Sequence, residues 1–224
     1  LAEFTRPISI MGDCRMIAAQ IEKHSSTCMS HHHDIFTNFF AEEVNVCGWQ
    51  RKLSEPVYKY SALLAEHQIK IIRAVSPDEV VSILNNLLPD SQYKSAFLAD
   101  VHLLTDMMCC LFDCSSVGLR LATLDHAMCP RFHKDKISGR LICTYVGKGT
   151  EWLPHNTLSD IESSHQTQKY GKGASEHEIM SAKQGDVILL KGDAWPKNEG
   201  RGAVHRSPQD SLEQRRLLLT LDPM

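Results

Sequence analysis

His133 and Asp135 stand two residues apart in "CPRFHKDK", residues 129–136, and a histidine and a carboxylate at that spacing make a metal-ligand pair on extended backbone. Side chains of a strand alternate between faces, so i and i+2 project together while Lys134 points away. The pair alone is weak evidence, because the chain carries twelve histidines and chance supplies about one such pair. A second copy, His32-x-Asp34 in "SHHHDIF", runs into the helical-looking "DIFTNFFAEE". On a helix, i and i+2 lie about 200° apart and cannot face one ion, so Asp34 reads there as an N-cap beside solvated histidines. "RFHKD" instead precedes "GRLICTYVG", a strand pattern.

Two ligands call for a third from distant sequence. Two histidines and one carboxylate on one face of a metal leave open positions and suit non-haem Fe(II). Downstream, Gly185-Asp186 introduces an apolar strand, a glycine-rich turn follows, the next strand ends at His205, and the last opens with Arg215 and Arg216.

The elements that must position these residues fall into two textures. The first half, 1–115, reads as mainly helical. "GDCRMIAAQIEKH" has helical apolar spacing, "SPDEVVSILNNLLP" is a helix opened by Ser76 and Pro77 and closed at Pro89, and 92–114 is the longest candidate. "VNVCGWQRKL" is strand-like, so this half contributes at least one strand. From 116 to 224, "VGLRLATL", "GRLICTYVG", "TEWL", "DVILLKG", "GAVH" and "RRLLLTLD" are short β-rich runs between turn signals, the pattern of an antiparallel sandwich or barrel.

With 224 residues, 42% hydrophobic and 23% charged, the chain suits one α+β domain over 1–224, and a net charge of −3 excludes a broad phosphate-binding surface. No run approaches the roughly 18 consecutive apolar residues of a spanning helix, and "LAEFTRPISIMGDC" lacks a signal-peptide core. The eight cysteines, at 14, 28, 47, 109, 110, 114, 129 and 143, form no disulfide framework. Reduced thiols and a cytoplasmic location are the expectation. Cys110 and Cys114 would share a helix face, as buried apolar residues do.

The order HxD, strand-turn-strand to histidine, then arginine about ten residues on resembles the Fe(II)/2-oxoglutarate-dependent oxygenases. A closer resemblance is to the family domain of unknown function 1826, through "CPRFHKD", "GRLICTYVGKGTEWL" and "GDVILLKGDAWP…HRSP…RRLLLTLD". The resemblance implies a double-stranded β-helix, a jelly-roll or cupin-like barrel, with the helical half packed on it. It implies His133, Asp135 and His205 as iron ligands, with Arg216 or Arg215 binding the distal carboxylate of 2-oxoglutarate, since a guanidinium matches a carboxylate. Arg216 is preferred because it shares a face with Leu218 and Thr220. Tyr145 occupies a place where relatives put a cosubstrate-contacting tyrosine, or is an ordinary core tyrosine. O₂ would oxidise a small-molecule or side-chain substrate as 2-oxoglutarate is decarboxylated to succinate. The sequence departs from the oxygenase pattern at Glu213-Gln214, where many relatives carry glycine.

Among the neighbours, Arg131 and Arg206 either meet an acidic substrate or are solvated. His126 and His155 read as structural, Glu151-Trp152 as pocket mouth or core, and Cys129 as turned towards the site or packed beneath it, packing being preferred. Two rival readings share the ligands: a metal-binding protein holding zinc, and an iron oxygenase without 2-oxoglutarate, as in cupins. Both leave the arginine pair structural.

Overall fold

Residues 22–24, 26–154, 179–208 and 215–224 are described by the computed structural model. Its centre is a strand buried at every position, β9 (Val187–Lys191), which is the pattern of a strand covered on both faces. In chain order the other strands are β1 (Glu22–His24), β2 (Thr27–Ser30), β3 (Val46–Trp49), β4 (Lys70–Val75), β5 (Val117–Leu124), β6 (Gly139–Val146), β7 (Glu151–Trp152), β8 (Met180–Ser181), β10 (His205–Arg206) and β11 (Arg216–Pro223). A large sheet runs β1-β2-β3-β9-β6-β11-β5-β4, and a small one β10-β7-β8. Every pairing of the large sheet is antiparallel except β2 with β3. His133 joins the small sheet through an antiparallel bridge to His205.

Alternation along β5, β6 and β11 sends two sets of side chains to opposite faces. Leu119, Leu121, Leu141, Cys143, Leu217 and Leu219 face a core shared with Tyr60, Leu64, Phe97, Val101 and Leu104. Those partners lie on α1 (Glu55–Glu66) and α3 (Lys94–Phe112). Ala122, Leu124, Ile142 and Leu218 point the other way, into a second cluster with Trp152 of the small sheet and Ala203. The two sheets are therefore packed face to face on a core of their own, and the helices cover the far side of the large sheet.

The helices follow their sequence signals. Ser76 is the N-cap residue of α2 (Pro77–Leu87), with Pro77 in the first turn and Asp78 and Glu79 beside it, where acids meet the positive end of the helix dipole. By length and composition α3 is apolar enough to cross a membrane. In the fold it is a core helix: Phe97, Leu98, Val101, Leu104 and Met108 are buried, each worth about 1.5–3 kcal/mol over exposure.

Three expectations need correction in detail, and the first half bears out a fourth. The first half is mainly helical in its described residues, with a 3₁₀ helix and α1, α2 and α3, and it contributes four strands, β1, β2, β3 and β4, to the large sheet. Glu22–His24, the end of the expected first helix, is β1 paired to β2, while the rest of that stretch lies outside the described residues. "DIFTNFFAEE" contains a 3₁₀ helix, His33–Phe40, but its N-cap is His32, with Asp34 inside the first turn. Finally, α3 stops at Phe112 because Asp113 turns left-handed, at φ 48°. Cys114 therefore leaves the helix and does not share a face with the exposed Cys110. Cys47, Cys109, Cys110, Cys114, Cys129 and Cys143 are free thiols.

Candidate metal centre

Mutual backbone hydrogen bonds of 3.0 Å between His133 and His205 place the two imidazoles on the same side of the bridge. Their ring centroids are 4.4 Å apart. Asp135 completes the cluster: its Oδ1 lies 3.6 Å from His133 Nε2 and its Oδ2 3.5 Å from His205 Nε2. One ligand atom from each residue falls within 4.8 Å of the others, and among the described residues no other group of three ligand-type side chains does so. His32 and Asp34 are both exposed and outside that cluster.

The second nitrogen of each imidazole is also held. Nδ1 of His133 lies 3.0 Å from the Arg131 carbonyl, and Nδ1 of His205 3.0 Å from the Ala203 carbonyl. A carbonyl only accepts, so Nδ1 carries the proton and the Nε2 lone pair faces the other ligands, as metal-binding histidines require. The connection from β9 to β10 fixes Asp135: the Asp193 N–H donates to the Asp135 carbonyl at 2.8 Å, and that of Gly192 to Ser138 at 3.2 Å. Gly192 permits this approach, because a Cβ there would overlap the Ile137 carbonyl oxygen.

Sequence reasoning missed Arg140. Its Nη1 donates to Asp135 Oδ2 at 2.8 Å, while Nε and Nη2 make a bidentate pair with Asp222 at 2.7 Å each. Arg140 thus neutralises and orients the carboxylate of the candidate ligand set. Only a tertiary pairing across β6 and β11 reveals it, since nothing in the local spelling of "SGRLI" marks it.

Burial pushes the His205 imidazole down to about 4, against a reference of 6.5. The folded state therefore takes up that proton less readily than the unfolded chain. Stability of the metal-free protein is full above about pH 6.5 and is expected to fall by about 1–3 kcal/mol as pH drops towards 4. Thermal melts across that range check it, and a flat profile would contradict the buried neutral histidine.

The two arginines at the head of β11 part company. Arg215 is exposed and donates to the Glu66 carbonyl at 3.0 Å. Arg216 is 1% exposed and, by alternation with Leu218, faces the core between the sheets. Its Nε donates to the Lys148 carbonyl at 2.7 Å and its Nη2 to Thr144 Oγ1 at 3.4 Å, but its Nη1 is buried without a partner. Burial lowers its pKa to about 10, opposed by Glu151.

Tyr145 is placed elsewhere. It alternates with Thr144 onto the helix face, donates to Asp100 Oδ2 at 2.6 Å and packs against Phe97 with ring centroids 4.8 Å apart. It is a core tyrosine on the helix-covered face of the large sheet, opposite the face that carries Arg216 and Arg140. Tyr145→Phe is expected to cost about 1–2 kcal/mol of stability, with metal and 2-oxoglutarate affinities unchanged by calorimetry. Arg206 is neither free nor solvated: it pairs with Glu151 at 2.7 Å and lies 4.3 Å over the Phe132 ring. Glu151 is held by that pair, and Trp152 is core at 1% exposure. Arg131 is exposed, and His126 is a surface partner of Asp125 at 2.5 Å. Cys129 is exposed rather than packed beneath the site. His155, Glu213 and Gln214 lie outside the described residues. A groove of about 960 Å³ lined by Glu66, Lys148, Lys183 and Arg215 contains none of the three clustered ligands.

Comparison with solved structures finds low-identity likenesses. AtDAO1, "dioxygenase for auxin oxidation 1" from Arabidopsis thaliana, in its 2-oxoglutarate complex, has TM-score 0.41 and 10% identity over 77% of this chain and 73% of that one. A full-length Neurospora crassa protein, in complex with α-KG and 5-formyluracil, has TM-score 0.45 and 11% identity over 80% and 73%. A Pseudomonas putida prolyl-4-hydroxylase has TM-score 0.45 and 10% identity over 84% and 96%. No curated protein matches. The family model described as "Protein of unknown function (DUF1826)" matches residues 30–222.

Proposed function

The chain belongs to the DUF1826 family, and from its site we propose a non-haem Fe(II) oxygenase that uses 2-oxoglutarate as cosubstrate on a double-stranded β-helix. The scaffold reading rests on chain order. From β5 onward the strands go to the large sheet, then to the small one at His133, large at β6, small at β7 and β8, large at β9, small at β10 and large at β11. That alternation is how two sheets wind into a jelly roll.

One observation carries the cosubstrate. Arg216 is fully buried and keeps Nη1 unmet, although an unpaired buried donor costs stability. It lies on the face of β11 that also holds Asp222, which is tied through Arg140 to Asp135. A carboxylate at Nη1 would satisfy the orphan donor by a charge-assisted bond. In a zinc protein or a cupin-type oxygenase the same arginine would be structural, held by the Lys148 carbonyl and Thr144.

His133, Asp135 and His205 would hold the metal, which when bound supplies O₂ activation coupled to decarboxylation of 2-oxoglutarate to succinate. The chain's own part is positional. Carbonyls of Arg131 and Ala203 fix the tautomers, Arg140 takes one oxygen of Asp135 and leaves the other free, and Arg216 anchors the cosubstrate's far end. His205, at 5% exposure, closes the inner side to water, while His133 keeps 34% of its side chain open for substrate entry. The substrate is a small molecule or an exposed side chain.

Anaerobic addition of Fe(II) and 2-oxoglutarate to the metal-free protein tests the proposal. A weak visible charge-transfer band is expected only with both present. Absence of the band, with zinc retained through purification, would establish the zinc reading instead.

A further inference from the structure

The inner face of the large sheet presents guanidinium groups on three strands, and their partners differ. Arg216 pairs in register with Leu124, and Thr220 with Arg120. Residues paired in register share a face, and Leu218, Ala122 and Leu124 show that this face is the one turned to the small sheet. Arg120 therefore stands on the metal side of β5. It lies two residues along from Ala122, and diagonally across from the Asp222 that Arg140 links to Asp135.

Each nitrogen of Arg140 is already engaged by one of two carboxylates, Asp135 or Asp222. Arg216 has one nitrogen unmet, which the proposed cosubstrate fills. Arg120 is half-buried, and its Nε is buried with no hydrogen-bond partner. Among the described residues none forms an ion pair with it, not even Asp222, whose two oxygens are taken by Arg140. Its register partner on β4, Ile72, is 53% exposed, so this edge of the face is open rather than capped. A half-buried guanidinium with one buried, unmet donor at an open edge is placed to meet an anion.

We infer that Arg120 binds an oxyanion of the substrate: a carboxylate, sulfonate or phosphate on an organic molecule that enters over Ile72 and reaches the metal from the β4–β5 side. This inference rests on the proposed oxygenase site, and it assigns Arg120 to the substrate and Arg216 to the cosubstrate. Two anionic ligands then lie on one sheet face, each with its own guanidinium, and Arg140 is left to the metal ligand.

The test uses zinc-loaded protein, with and without saturating 2-oxoglutarate. The probes are acetate, methanesulfonate and inorganic phosphate, with acetamide as the uncharged control. Arginine Nε–H spectra identify the Arg120 resonance by its loss in R120K and R120Q. At least one oxyanion is expected to shift that resonance while acetamide does not. R120Q should weaken the oxyanion about tenfold or more and leave 2-oxoglutarate affinity within about threefold of wild type, with an unchanged circular dichroism spectrum. R120K should keep part of the affinity, because the charge remains. The inference is overturned if no oxyanion binds the wild type, if R120Q binds oxyanions equally well, or if R120Q loses 2-oxoglutarate as fully as R216Q. Should 2-oxoglutarate fail to bind wild type while oxyanions still report on Arg120, the oxygenase reading falls and the anion site stands.

Discussion

Alanine at His133, Asp135 or His205 is expected to lower divalent-metal affinity by about 100-fold or more, since even the outer partners of metal ligands cost 10–100-fold when removed. Co(II) titration followed by its d–d absorption measures this without turnover. His32→Ala is the matched control, because His32 is exposed and belongs to no group of three ligand-type side chains among the described residues, and its affinity should equal wild type. Retained affinity in His133→Ala together with loss in His32→Ala would mean that the wrong HxD pair holds the metal. His205→Ala also strands the Ala203 carbonyl that Nδ1 now meets. Its melting temperature must therefore be read beside its affinity, whereas His133→Ala changes a partly open residue and tests the site more cleanly.

The second large effect has opposite signs in two measurements. Arg216→Met is expected to cost about 2–5 kcal/mol of 2-oxoglutarate binding, the usual loss on truncating one member of a buried charge pair. The same change removes a buried guanidinium whose Nη1 has no partner. The cosubstrate-free protein should therefore be as stable as wild type, or more stable by up to about 2 kcal/mol, as when well-packed apolar residues replace buried charge. Arg215→Met should move neither quantity, because Arg215 is exposed and, among the described residues, hydrogen-bonds a backbone carbonyl, that of Glu66. Severe destabilisation in Arg216→Met with intact 2-oxoglutarate binding would make Arg216 a structural residue and remove the main support for the cosubstrate. Calorimetric titration and denaturant unfolding on the same preparations separate these outcomes.

Where local chemistry decides conformation, the sequence was legible. Ser76, Pro77 and two acids open α2 and Pro89 follows its end, and the apolar alternation of "VGLRLATL" and "RRLLLTLD" placed β5 and β11 to within a residue. Strand alternation said that only one of Arg215 and Arg216 turns inward, the resemblance of Thr220's place to the oxygenases' last strand favoured Arg216, and Arg216 does share the face of Leu218. Local spelling failed where partners are distant. β1 and β2 are short strands whose place depends on pairing with β3, and a three-residue strand leaves no periodicity to read. Tyr145 has the composition of a site residue, but its face is set by the register of β6 against β11, and that register sends it to Phe97 and Asp100.

By itself the sequence determined the ligand types, their order along the chain and the alternation that keeps His133 and Asp135 on one side, because these depend on neighbours one or two residues away. Only the tertiary structure decided that His205 returns to bridge His133, that Arg140 links Asp135 to Asp222, and that Arg216 and Arg120 keep unmet donors on the same face. Each of these depends on strand register, which is settled by burying apolar side chains from the whole chain at once, and no single stretch of the sequence contains that balance.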